Sequence, residues 1–279
     1  MRIKKNKLYG SGALDMKSAI LLFYFSILAY RKLDMRPSHA VRILLTPDEE
    51  TGSNASTPYL LKTCKTAKAV ILPEICCPDG GVKTQRKGVL TLKARLNGKA
   101  AHSGIDPEKG IDANRAVAKL ILRIEHILAD HPGIRFNPGL ITGGTATNIV
   151  SPEAILEGEL RAYSTHALLQ AAEKLKTVDE IDGVTVNFRT ELTHPALEFT
   201  PANRGLYEKA KAIADAMNYP LPTCSTGGSS DGSKLSAAGI PVIDGLGMRG
   251  AGAHSTQEYV ELPDFPYRAA LVSALTLEI

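Results

Sequence analysis

Residues 89–96 read Val-Leu-Thr-Leu-Lys-Ala-Arg-Leu, and from Leu90 onward apolar and polar side chains take strict turns. That period fits a strand with one face in water. Ala154–Tyr163 (AILEGELRAY) and Val184–Leu192 alternate in the same way. Phe136–Ile141 supplies a further strand, while Ile111–Leu128 and Ala167–Val178 carry helical spacing. The order strand–helix–strand–strand–helix–strand predicts a compact α+β domain over residues 87–195, with one exposed sheet face.

Outward from this block the texture changes. Upstream, Ser18–Arg31 reads as an apolar helix, and Ala40–Leu45 (AVRILL) and Ala69–Leu72 read as short buried strands. Downstream come a helix near Asn203–Met217, a glycine-rich loop, a helix at Ser233–Ala238, a strand at Pro241–Ile243 and a closing helix from Phe265. Buried strands alternating with helices indicate an α/β domain. The fold class expected is therefore α/β, with a domain of residues 1–86 and 196–279 interrupted by the α+β insert.

Composition narrows the function. Of 279 residues, 44% are apolar and 22% charged, with 33 Lys+Arg against 29 Asp+Glu and a net charge of +4. The small excess forms no basic stripe, and aromatics are 5%, so nucleic acid is not the expected partner. Met1–Lys7 is basic and precedes an apolar run, Ala19–Tyr30, which imitates a signal peptide. Twelve or so residues are too few to cross a bilayer, so a buried helix and no membrane partner are expected. Cys64, Cys76, Cys77 and Cys224 form no Cys-x-x-Cys pair. Neither a disulfide framework nor a thiolate zinc site is indicated, and a reducing cytoplasm is the expected location.

Acidic residues stand where α/β sheets place ligands, at the C-terminal ends of strands. Glu49 and Glu50 follow Ala40–Leu45, Glu74 follows Ala69–Leu72, Asp15 opens the first helix, and His254 lies in a glycine-rich loop. Singly, each acid reads as a solvated loop residue. Together they suit zinc, which takes oxygen and nitrogen ligands and offsets repulsion among neighbouring carboxylates. Gly10-Ser11-Gly12 begins like a dinucleotide fingerprint, but Asp15 occupies the place of the third glycine. Gly228-Ser229-Ser230-Asp231-Gly232 fits a nucleophile elbow, with Asp244 and His254 following in order. A serine hydrolase using Ser230 is thus an alternative, weakened by Pro220 and Pro222 where a central strand is needed.

Four segments, Gly10-Ser-Gly-Ala-Leu-Asp15-Met-Lys, Pro47-Asp-Glu49-Glu50-Thr-Gly-Ser, Gly98-Lys-Ala-Ala-His102-Ser-Gly and Gly250-Ala-Gly-Ala-His254-Ser, resemble the co-catalytic zinc metallopeptidases. That family includes glutamate carboxypeptidase, acetylornithine deacetylase, succinyl-diaminopimelate desuccinylase and aminoacylase. Gly143-Gly-Thr-Ala-Thr-Asn148 and Gly227-Gly-Ser-Ser-Asp231 are most similar to the glutamate carboxypeptidase group.

The resemblance implies a zinc-peptidase-like catalytic domain and an inserted lid and dimerisation domain. It implies that Asp15 bridges two zinc ions, that Glu50 and His254 complete one and that Glu74 binds the other. Glu49 is then the general base acting on a zinc-bridging hydroxide, and a cis bond after Asp15 is possible. His102 stabilises the oxyanion, and Asn148 and Arg161 hold a substrate carboxylate. The reaction implied is hydrolysis of an amide bond in a small peptide or N-acyl amino acid, by a homodimer. The family also has a His-x-Asp motif upstream of the first segment. Met1–Leu14 contains no histidine, so one zinc is expected to be impaired, its ligand and the first strands lying in a missing front. A non-catalytic remnant is the remaining alternative.

Overall fold

The computed structural model describes residues 1–279. Two compact units divide the chain, Met1–Arg86 with Leu197–Ile279, and Lys87–Ala196. In chain order the first unit contributes β1 (Arg2–Lys4), β2 (Lys7–Tyr9), α1 (Ser18–Leu33), α2 (Thr57–Cys64), β3 (Val70–Leu72) and β4 (Val82–Arg86). The second holds β5 (Gly88–Asn97), α3 (Ala113–Ala129), β6 (Arg135–Gly143), β7 (Glu153–Ala162), α4 (Thr165–Leu175), β8 (Glu180–Ile181) and β9 (Val184–His194). The chain then completes the first unit with α5 (Pro201–Ala216), β10 (Thr223–Thr226), α6 (Asp231–Ala237), β11 (Val242–Asp244), β12 (Gly250–Ala251), β13 (Tyr259–Glu261) and α7 (Phe265–Glu278).

In the second unit β5 lies at the centre of an antiparallel sheet of order β6-β7-β5-β9-β8. The alternation that opened the reading decides its faces. Leu90, Leu92, Ala94 and Leu96 are at most 3% exposed, while Lys93 and Arg95 point to water. On the apolar face α3 lays down Ala113, Ala116, Val117, Leu120, Ile124 and Leu128, a spacing that keeps one helical stripe inward. Asp112 starts α3 by accepting from the amides of Asn114 and Arg115, two of the donors a helix start leaves unpaired. Truncating a fully buried member such as Leu120 costs about 2–5 kcal/mol. β6 is an edge strand, with Leu140 64% and Ile141 54% exposed.

The first unit has two four-stranded sheets. One is antiparallel, of order β1-β2-β13-β12; the other has order β10-β4-β11-β3, with β10 parallel to β4 and β11 parallel to β3. Two apolar clusters hold it. In one, Leu14, Leu22, Leu206, Leu246, Met248 and Leu271 pack together; in the other, Leu60, Leu197, Leu235 and Val242. Asn203 ties elements together inside. Its amide donates to the carbonyl of Glu198 and to Ser236 Oγ, and its side-chain oxygen accepts from Val242 N.

Four expectations are corrected here. Ala40–Leu45 forms no strand: it is irregular and unpaired, with Val41, Ile43 and Leu45 38–67% exposed. A strand exists only where a neighbour takes its N–H and C=O groups, and no other strand does so here. α1 is not a buried helix. Only Ser18, Ala19, Leu22 and Ser26 are buried, and Ile20, Leu21, Tyr24, Phe25, Ile27 and Leu28 stay exposed. With the turn before it, Ala13–Leu33 makes 21 residues, long and apolar enough to cross a membrane, so the run was not too short. One face nonetheless belongs to the protein: Tyr30 Oη donates to Ser273 O, and Ser273 Oγ donates to Ser26 Oγ.

The strand before the Ser230 loop, β10, has Pro220 and Pro222 just outside it and is an edge strand, in line with the expectation that no central strand precedes Ser230. Finally, Cys77 and Cys224 form a disulfide across 147 residues, leaving Cys64 and Cys76 as free, buried thiols.

Candidate metal centre

Three loops of the first unit bring acceptors together. Asp15 sits in the wide turn Ala13–Lys17 between β2 and α1. That turn opens at Gly12, whose φ of +67 is the left-handed region glycine enters without strain. The bond Asp15–Met16 is cis. Glu50 lies in a single helical turn, Glu49–Thr51, and His254 in the connection between β12 and β13.

His254 Nε2 is 3.0 Å from Asp15 Oδ2 and 3.2 Å from Glu50 Oε1. The three ligand atoms all lie within 4.8 Å of one another. Ligands about 2.1 Å from a tetrahedral zinc stand about 3.4 Å apart, so this donor set fits such an ion. The imidazole is held above its ordinary pKa, first by its hydrogen bond to Asp15 and then by the charge of Glu50. The side chains of His254 and Glu50 are well exposed, and that of Asp15 is mostly covered.

Glu74 stands outside this trio. It follows β3, its backbone oxygen accepting from Gly247 N, and a Cβ on Gly247 would come within 2.5 Å of that oxygen. Burial pushes its carboxyl up to about 8, helped by the charges of Asp244, Glu49 and Asp15 and opposed by Arg86. Glu49 is raised too, by burial first and then by Asp231, Glu50 and Asp15. Burial and like charges raise both carboxyls, and a nearby cation acts the opposite way, favouring their ionised forms.

Beneath them lies a buried ion pair that motif reading missed. Arg86 donates from Nε and Nη2 to the two Asp244 oxygens, both at 2.8 Å, and from Nη1 to the carbonyls of Gly228 and Ser229. Ser230 Oγ donates to Asp244 Oδ2 at 2.6 Å. Ser230 is 3% exposed and faces a carboxylate with no imidazole between. This geometry does not support the serine nucleophile: its hydroxyl pins the glycine-rich loop. The one available sequence signal was a charged residue closing the alternating strand Val82–Arg86.

In the second unit, Ser103 N donates to Asn148 O and Val150 N to Ala101 O. These bonds pair His102 with Ile149, the residue after Asn148, on neighbouring antiparallel segments. Gly104 N donates to His102 Nδ1, which in the neutral ring leaves the proton on Nε2. Arg161 does not present an empty fork: its Nε and Nη2 donate to the two oxygens of Glu159.

The sequence profile of the peptidase family M20/M25/M40 matches residues 1–278. Carboxypeptidase G2 of Pseudomonas sp. (strain RS-16) is 27% identical over 287 residues, covering 100% of this chain and 68% of its own length. Succinyl-diaminopimelate desuccinylase of Legionella pneumophila (strain Paris) is 30% identical, covering 94% of this chain and 72% of its own. Among solved structures, aminopeptidase PepT of Bacillus cereus superposes with a TM-score of 0.87 at 23% identity, over 99% of this chain and 75% of its own. The Bacillus subtilis YXEP protein, described as a dinuclear metal-binding peptidase, gives 0.72 at 15%, over 92% and 70%. A profile spanning the chain and a gathered carboxylate–imidazole trio agree: the chain belongs to the hydrolytic enzymes of peptidase family M20/M25/M40.

Proposed function

We propose that the chain hydrolyses an amide bond next to a carboxylate-bearing residue, as a carboxypeptidase or an N-acyl amino acid deacylase does. Carboxypeptidase G2 and the desuccinylase are the similar proteins that favour this chemistry. The observation that carries it is the meeting of Asp15, Glu50 and His254 from three separate loops. These side chains hold a divalent ion, zinc in our reading, and Glu74 serves a second position beside Asp15. When bound, the ions supply a Lewis acid that brings the pKa of water to about 7.

Glu49, half-buried and raised above the usual carboxylate range, takes a proton from water and returns it to the leaving amine. A base so placed contributes about 10²–10⁴-fold. His102, with its proton on Nε2, is a donor for a developing oxyanion, and Asn148 and Arg161 serve a substrate carboxylate, Arg161 on exchange of its Glu159 partner. The exposed edge β6 supports a homodimer formed through the second unit.

The test strips the purified chain with a chelator and assays it on N-acyl amino acids and on peptides ending in glutamate. Activity is expected to vanish and to return with zinc or cobalt; activity that survives complete demetallation overturns the proposal. The alternative is a metal-binding chain without turnover, in which Glu74, outside the trio, holds no second ion. One tightly held ion per chain and no hydrolysis under any metal would select it.

A further inference from the structure

Glu258 is a buried carboxylate near the metal centre that the proposed chemistry does not use. It is 4% exposed and lies four residues past His254, in the same turn between β12 and β13. Three backbone amides receive its carboxylate. Gly12 N donates to Oε2 at 2.6 Å, and Leu14 N and Asp15 N donate to Oε1 at 2.8 and 2.9 Å. Successive amides turned to one point form a concavity that binds anions. Here the anion is a side chain of the protein, received by the amides of residues 12, 14 and 15.

The turn that carries Glu258 is itself braced. Ser255 N and Oγ both donate to Gly252 O, and Glu258 N donates to Ser255 O. One turn thus grips residue 15 twice. His254 Nε2 meets its carboxylate, and Glu258 Oε1 accepts from its backbone amide. Asp15 and His254 are 239 residues apart in the chain, so this clamp sets their separation.

We infer that Glu258 is a positioning residue that fixes Asp15 relative to His254 for metal binding, an inference that rests on reading those two as ligands. Glu258→Gln keeps size and removes charge, and its amide nitrogen must oppose at least one of the three donors. Groups that orient metal ligands from behind typically change affinity about 10–100-fold.

The experiment titrates the metal-free chain with Co²⁺, following visible absorption for affinity and coordination, with circular dichroism and melting of the metal-free forms alongside. E258Q is expected to weaken Co²⁺ binding at least about tenfold and alter the spectrum, E258D to fall between, and the exposed-site control Gln257→Ala to match the parent. A folded E258Q that melts lower yet binds Co²⁺ as the parent does makes Glu258 merely structural and overturns the inference. Should E258Q fail to fold, E258D carries the decision, and parental affinity there overturns it equally. A parent chain that binds no Co²⁺ refutes the ligand reading itself, a distinct outcome.

Discussion

Removing one partner of the Arg86–Asp244 pair should be among the most damaging single changes in the first unit. The Asp244 side chain is 0% and that of Arg86 5% exposed. Asp244 accepts three hydrogen bonds, two from Arg86 and one from Ser230. In Asp244→Ala the guanidinium keeps only the carbonyls of Gly228 and Ser229, at 3.3 and 3.2 Å. A charge left buried and uncompensated costs about 3–5 kcal/mol. Units of this size shift about 2–4 °C per kcal/mol, so the melting point should fall by roughly 6–20 °C. Arg86→Met with Asp244→Leu removes both charges and should recover most of that loss, because an apolar replacement of a buried pair is often neutral or better. Calorimetry on the parent, Arg86→Met, Asp244→Leu and the double variant closes the cycle, with Asp244→Ala measured beside it. If D244A costs under about 1 kcal/mol, or if the two single effects add in the double variant, the pair is not coupled as its geometry requires and the reasoning fails.

Glu49→Gln should retain its metal while turnover falls about 10²–10⁴-fold; an equal loss of metal would place Glu49 among the ligands. Ser230→Ala should cost on the order of 1 kcal/mol for one lost hydrogen bond, and the parent should resist serine-directed phosphonates; labelling at Ser230 would revive the serine hydrolase. Thiol titration of the unfolded, unreduced chain should find Cys64 and Cys76 only, with reduction exposing the other two and lowering stability by about 2–4 kcal/mol; four thiols before reduction would remove the disulfide and agree with a reducing compartment. Tyr219, buried and donating to Asp264, is pushed up to about 12. Its folded-state value lies above the unfolded one near 10, so its contribution is whole below pH 10 and is lost as pH rises toward 12. Ultraviolet titration should show Tyr219 among the late-ionising tyrosines, with Tyr30 also raised by burial, and Tyr219→Phe should flatten that part of the stability curve.

Local information reached the elements whose pattern is their own cause. Leu90 to Leu96 alternate because a strand alternates, and Ala113 to Leu128 recur at helical spacing because one helix face must be buried. The small sheet of β1, β2, β12 and β13 escaped notice because strands of two or three residues are too short to show a period. Ala40–Leu45 misled for the opposite reason. Its composition is that of a strand, but pairing is supplied by a neighbour, and composition does not report whether one is present.

At the centre the division is similar. Asp15, Glu50 and His254 were marked by acidic and glycine-rich signatures at element ends, and the resemblance assigned them one ion. Their separations, the exclusion of Glu74 from the trio, the Arg86–Asp244 pair and the link from Glu258 to residues 12–15 were decided by the folded chain alone. The sequence by itself determined which side chains have the chemistry to bind a cation and which stretches must hide one face from water, since both follow from residue type and short-range period. Only the tertiary structure decided which of those side chains meet, because a hydrogen bond between residues more than two hundred positions apart leaves no periodic trace in either partner's neighbourhood.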